Sequence, residues 1–167
     1  MRAVILIPAL AALFVVPALA QNGPRPLGVF GRWSAAVSTE NGEKLCYAYA
    51  SPTRMSHRRT DVYLSVMHGP QGRNQVGLTS GYRYARGASV TATVGRTRLS
   101  FYTDRDMAFA RNGTAAVAAF RSGSEAVLQG PRAAGRPRGT VVDTFSLRGF
   151  TAAHAAISRE CPQRRRR

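Results

Sequence analysis

Acidic residues are few in this chain, lysine is nearly missing and cysteine occurs twice. Eight Asp and Glu stand against 24 basic residues, giving a formal net charge of +16, and Lys44 is the sole lysine. A bias of arginine over lysine often reflects a GC-rich genome and names no partner by itself. The charge still favours anionic surfaces through long-range attraction. Long hydrophobic runs are missing as well, apart from residues 3–16. That run is shorter than the roughly 20 apolar residues needed to span a bilayer. It follows Arg2, breaks at Pro17 and leads into the small-x-small triplet Ala18-Leu19-Ala20. This pattern predicts a signal peptide over residues 1–20, cut before Gln21. A membrane anchor or a buried core helix is the alternative. Export predicts a periplasmic, outer-envelope or secreted protein, with no transmembrane segment in the mature chain and no nucleic-acid partner.

The motifs that would announce catalysis are also missing. There is no G-x-S-x-G elbow and no glycine-rich phosphate loop with a following lysine. His57, His68 and His154 are scattered, without the i, i+4 pairing or cysteine spacing of a zinc site. No catalytic residue, metal or cofactor is assigned, and the chain does not read as an enzyme. His154 adjoins the inner stripe of a helix and reads as a hydrogen-bonded structural residue; His57 sits in a polar loop and is expected in solvent. Asp104 and Asp106 form a D-x-D pair, but calcium wants several oxygens and Arg105 would repel it; a charged turn fits better. Asn112-Gly113-Thr114 matches a glycosylation sequon, yet reads better as a turn plus helix cap. Tyr82, Tyr84 and Tyr102 with Arg83 and Arg86 form either a surface that stacks on sugars or bases or ordinary half-buried strand packing.

What is present is period two. Val62, Leu64 and Val66 alternate with polar or exposed positions, as do Val90, Ala92 and Val94, and Leu99 with Phe101. Such alternation puts one face of a strand on a core and the other toward water. Further strands are expected over residues 30–38, 44–50, 74–80, 107–111, 126–129 and 140–147. Turn chemistry separates them at Asn41-Gly42, at Gly69-Pro70-Gln71-Gly72 and at Gly95. About eight short strands at this rhythm predict an antiparallel sandwich or barrel. Two helices interrupt it. One is capped by Thr114 and runs to Arg121, with Gly123 ending it. The other carries Phe150, Ala153, Ile157 and Cys161 on one stripe. Alternation through Val141, Phe145 and Leu147 drags Asp143 to the apolar face, where it needs donors or an arginine; a bulge turning it outward is equally open. The organisation is then residues 21–27 as lead-in, 28–161 as one domain and 162–167 as a basic tail.

In an exported chain Cys46 and Cys161, about 115 residues apart, are expected to pair. The alternatives are two free thiols or a redox pair, and neither has a C-x-x-C spacing behind it. Arg164, Arg165, Arg166 and Arg167 follow Pro162 with no apolar residue to fold around. They read either as a solvated tail or as an electrostatic contact with an anionic envelope lipid or an acidic protein partner.

The order of several short motifs adds a resemblance. Gly31-x-Trp33 is followed by Glu43-Lys44-Leu45-Cys46-Tyr47-Ala48 and by Arg59-x-Asp61-x-Tyr63. Asn74-Gln75-Val76, Gly81-Tyr82, Gly87-Ala88-Ser89-Val90, Val94-Gly95 and Phe101-Tyr102-Thr103-x-x-Asp106 come next. Phe120-Arg121-x-Gly123-Ser124, Arg138-Gly139-Thr140 and the stretch from Asp143 to Leu147 with Gly149-Phe150 complete it. This order resembles the invasion-associated locus B family of proteobacterial exported proteins. The resemblance implies an all-β fold with minor helix: an immunoglobulin-like antiparallel β-sandwich with one short inserted helix and a C-terminal helix. It implies Trp33 as a core aromatic and Cys46 and Cys161 as the matched cysteines. The family has no established reaction, and its founding members are linked to host-cell invasion. Phe109 stands where a tryptophan is expected, and the arginine tail departs from the pattern. The expected function is a non-enzymatic envelope protein that binds or supports an anionic envelope component or a protein partner. Its rivals are a host-cell adhesion factor and a hydrolase whose pocket gathers Asp143 with a histidine.

Overall fold

The computed structural model describes residues 23–133, 135 and 139–163. The expected leader and residues Arg164 to Arg167 lie outside them. The alternating segments form strands β3 (Glu43–Ala50), β5 (Val62–Gly69), β6 (Gly72–Ser80), β7 (Ser89–Val94) and β8 (Thr97–Asp104). With them run β1 (Arg25–Phe30), β2 (Trp33–Glu40), β4 (Arg54–Met55), β9 (Met107–Ala110), β10 (Glu125–Pro131) and β11 (Thr140–Ser146). Every pairing is antiparallel, in the order β1-β2-β3-β5-β6-β9-β8-β7-β10-β11-β4. The ladder is therefore one continuous eleven-stranded sheet, not two separately bonded ones.

The β2–β3 hairpin closes on Asn41 and Gly42, both at positive φ (51° and 78°), the mirror-image turn that suits the twist of paired strands. The expected strand over residues 30–38 is broken instead into β1 and β2. Gly31 sits at φ 59° with Arg148 backbone atoms so close that a Cβ could not fit. Part of the expected lead-in, Arg25 to Leu27, thereby becomes an edge strand paired with β2.

Helix α1 (Gly113–Ser122) is capped two residues before the expected position. Asn112, not Thr114, is the N-cap: its side chain accepts from the Ala115 N–H at 2.9 Å. Gly123 ends the helix as expected. Helix α2 (Phe150–Glu160) is launched by Gly149 at φ 94°, whose missing Cβ lets the turn lie against the Phe30 carbonyl. The Arg32 N–H donates to the Arg148 carbonyl at 3.1 Å, and the Trp33 indole donates to the Ser146 carbonyl at 3.0 Å. This clasp fixes α2 across β1, β2, β3 and β5, while α1 packs on β6 and β8.

All of this shares one core. Trp33, Leu64, Leu78, Phe101, Leu128 and Phe145 from the strands meet Phe120 from α1 and Phe150 and Ile157 from α2. Phe150 stands edge-on to Trp33 and to Phe120, with centroids 4.9 and 5.3 Å apart, a geometry aromatic quadrupoles favour. Among the described residues no helix is long and apolar enough to cross a membrane.

Candidate functional site

Two buried polar clusters flank β5, one at each end. The first settles the position of Asp143. Its neighbours Leu128 and Ala92, then Leu99, follow it in one register row across β10, β7 and β8, so it faces the core and is 3% exposed. No bulge turns it outward. Its partner is Arg59, which forms a close buried ion pair with it. Burial pushes the Asp143 carboxyl up from its ordinary range, and Arg59 and His57 pull it back. The Tyr82 ring covers the Arg59 guanidinium at 5.3 Å. Tyr82 leans edge-on against Tyr84 at 4.9 Å and donates its hydroxyl to the Pro131 carbonyl at 2.6 Å. Burial pushes both phenols up. The Arg59 Nε and Nη1 atoms are buried and find no hydrogen-bond partner among the described residues.

Beside Tyr82 lies a cleft of about 430 Å³. Asp61, Arg83, Arg105 and Asp106 line it, with Thr79 and Gly81 between them. The D-x-D pair is the charged turn expected, closing the β8–β9 hairpin with Arg105 at φ 53°. The Ser80 and Tyr84 N–H groups donate to the Asp106 and Arg105 carbonyls at 2.9 and 2.7 Å, pinning that turn. No histidine lines this cleft. His57 is half-buried rather than in solvent: Ser56 Oγ lies 3.0 Å from its Nδ1, and Arg132 closes on its Nε2. Asp143 does not line this cleft either. Tyr102 does not join Tyr82 and Tyr84; it stands beside Phe109 and Arg111 at 5.6 and 5.8 Å.

The second cluster surrounds the two cysteines. Cys46 on β3 and Cys161, the C-cap of α2, form a disulfide with Cα atoms 6.1 Å apart. His68 is the register partner of Cys46 on β5. The His68 ring stands edge-on to His154 at 5.1 Å. The Asn74 N–H donates to His68 Nδ1 at 3.1 Å, the Met67 carbonyl lies 3.0 Å from the same atom, and Ser158 Oγ is 3.0 Å from Nε2. His154 Nε2 lies 2.9 Å from the Asn74 carboxamide oxygen, and Arg121 Nη2 is 3.3 Å from its Nδ1. The Arg121 guanidinium only donates, so His154 Nδ1 is the unprotonated nitrogen and its Nε2–H donates to Asn74. At His68, by contrast, the Asn74 N–H and the Met67 carbonyl ask opposite roles of Nδ1. Burial lowers both histidines; Arg73 adds to this at His68, and His68, Arg121 and Arg73 bring His154 down to about 4. His154 is thus the hydrogen-bonded structural residue its helical stripe suggests. Arg73 itself bonds the Cys161 carbonyl, and Glu160 bridges Arg25 and Lys44 at 2.8 and 2.7 Å. Among the described residues no group of three potential metal ligands gathers.

Sequence reasoning missed Arg59 and Asn74. Both lie far along the chain from their partners, 84 and 80 residues from Asp143 and His154. The one available signal was the demand of a buried Asp143 for an arginine.

Comparison with known proteins agrees with this architecture. The family model described as "Invasion associated locus B (IalB) protein" matches residues 33–158. No curated protein sequence matches the chain. A crystal structure of invasion associated protein B from Bartonella henselae is similar, with a TM-score of 0.58 at 20% identity. That match covers 81% of this chain and 98% of the other, and it speaks for the fold alone. With the family model spanning most of the strands and both helices, the chain belongs to the invasion associated locus B family.

Proposed function

We propose that the chain is an exported, disulfide-closed envelope protein without a catalytic role, which binds an anionic envelope component through its arginine surface. The continuous sheet, whose two halves share one core, supports reading it as an immunoglobulin-like sandwich. The apolar leader over residues 1–20 and the disulfide support export.

The observation that carries the binding reading is unneutralised charge. Among the described residues, ion pairs hold Arg25, Lys44, Arg54 and Arg59. Arg86, Arg96, Arg98, Arg148 and Arg159 are exposed, and the net charge is +16. Such a field concentrates anions at low salt and weakens as the Debye length shrinks. The test is co-sedimentation of the mature chain with phosphatidylglycerol vesicles and with phosphatidylcholine vesicles across a salt series. Retention should appear on the first alone, fall with salt and drop when residues 164–167 are deleted. Equal retention on both lipids, or none, would overturn the reading.

A further inference from the structure

We propose that the outer face of β3, β5, β6, β9 and β8 is a binding groove for an extended, neutral glycan chain. Tyr49 pairs with Ser65, Ser65 with Gly77, Gly77 with Phe109, and Phe109 with Tyr102. Residues directly opposite across antiparallel strands share a face, so these five form one row across five strands. Cys46, Ala48, Leu64, Val66 and Leu78 alternate with this row and are buried, which sends the row outward. Its middle is small: Ser65 is half-buried, and Gly77 is buried with the Phe109 and Met107 side chains in van der Waals reach of its outward side. Its shoulders are aromatic, and Tyr49 and Tyr102 are 36% and 45% exposed. Tyr63, 37% exposed, stands edge-on to Tyr49 at 5.9 Å and widens one shoulder. From Tyr49 to Phe109 is three strand spacings, roughly 14 Å at ~4.8 Å each.

Both ends of this floor open into polar clefts. Thr79, next along the β6 outer face, lines the cleft of about 430 Å³ described above. At the other end Met67 and Gln75 line one of about 310 Å³, together with Glu43 and Gln71. Along β5 the floor runs from Tyr63 to Gly69, roughly 20 Å at ~3.3 Å per residue. An extended polymer fits such a track; a small molecule would leave most of it empty.

Charge chooses the polymer. In a chain so rich in arginine, Glu43, Asp61, Asp104 and Asp106 all border this one face. Three of the other four acidic residues, Glu125, Asp143 and Glu160, are committed to ion pairs elsewhere. Asp61 and Asp106 are matched by Arg83 and Arg105 in the wider cleft, and Arg111 stands beside Tyr102. The rim thus carries both signs and favours neither a polyanion nor a polycation, while the floor sets Ser65, Thr79 and Gln75 among Met67, Met107 and Phe109. Tyrosine faces instead suit the C–H faces of pyranose rings, while carboxylates and guanidinium groups bond pairs of hydroxyls.

Calorimetric titration of the mature protein with chitotetraose and with cellotetraose tests this. At least one should bind, and Tyr49→Ala and Tyr102→Ala should each weaken it at least tenfold with an unchanged thermal midpoint. Gly77→Leu, which raises the floor between the shoulders, should abolish it; Arg86→Ala, outside the groove, should leave it intact. The proposal is overturned if neither oligosaccharide binds, or if binding survives both tyrosine substitutions. It is also overturned if the tyrosine variants lose retention on phosphatidylglycerol vesicles instead, which would give this face to the membrane.

Discussion

The two ends of β5 solve the same problem by opposite means. Each brings polar groups into one apolar core. At one end a full charge, Asp143, is met by a full charge, Arg59, under the Tyr82 ring. At the other, neutral imidazoles meet Asn74 and Ser158, and a covalent bond closes the cluster. A buried ion pair is weak evidence of stability, because desolvating two ions can cost as much as their attraction returns. Arg59, with two nitrogens buried and unbonded among the described residues, has that cost only partly offset. The neutral cluster carries less penalty and gains a cross-link. The comparison teaches that the disulfide end holds the fold and the ion-pair end specifies it.

Breaking the cross-link should have the largest effect. Cys46→Ser with Cys161→Ser frees a closure of 115 residues. The chain-entropy account puts the loss at about 4–5 kcal/mol, seen as a lower urea midpoint for the double variant and for reduced wild type alike. At the other end, Asp143→Ala strands Arg59 in the core and should cost roughly 3–5 kcal/mol. Replacing both partners, Arg59→Met with Asp143→Leu, sharpens the contrast: it should recover most of that loss in the same urea experiment. If the double variant is as unstable as the single one, the ion pair contributes to stability in its own right and the contrast between the two ends is wrong.

How much of this the sequence disclosed follows from what alternation can and cannot encode. Period two placed Val62, Leu64 and Val66 inward, and it carried Asp143 inward with Val141 and Phe145, because a strand's side chains alternate whatever their polarity. The helical stripe of α2 placed His154 against the core and Cys161 toward the sheet for the same reason. The partners were not legible. Arg59 looked like one more loop arginine beside His57 and Arg58, and Asn74 like one more strand residue, although it sits at φ 55°. Pairing across more than 80 residues leaves no local periodicity. The division of residues 30–38 was hidden too, since it depends on Gly31 meeting the Arg148 carbonyl from the far end of the chain. The two-residue strand β4 has no pattern of its own; it exists because β11 offers an edge.

A smaller test separates the two ends by pH. His68 and His154 are lowered from 6.5 in the fold, His154 to about 4. Below pH 6.5 the unfolded chain therefore binds protons that the native state refuses, and stability is lost as pH falls toward 4. The slope approaches about 1.4 kcal/mol per pH unit for each histidine once the unfolded ring is charged. Asp143, whose carboxyl burial pushes up, has the opposite sign: the fold takes its proton more readily than the unfolded chain, so its contribution is retained on acidification. Glu160 is held below the ordinary carboxylate range by Lys44 and Arg25 and titrates beneath this window. A net loss between pH 6.5 and 5 is then expected from the disulfide end. Protonating His154 Nδ1 would break its bond to Arg121, and a charged ring at either histidine would set a new cation beside Arg73. The urea midpoint of wild type should fall over that range, and His154→Gln, whose amide can still donate to Asn74, should fall by about half as much. An equal drop in both would move the acid sensitivity away from α2 and the cluster it closes.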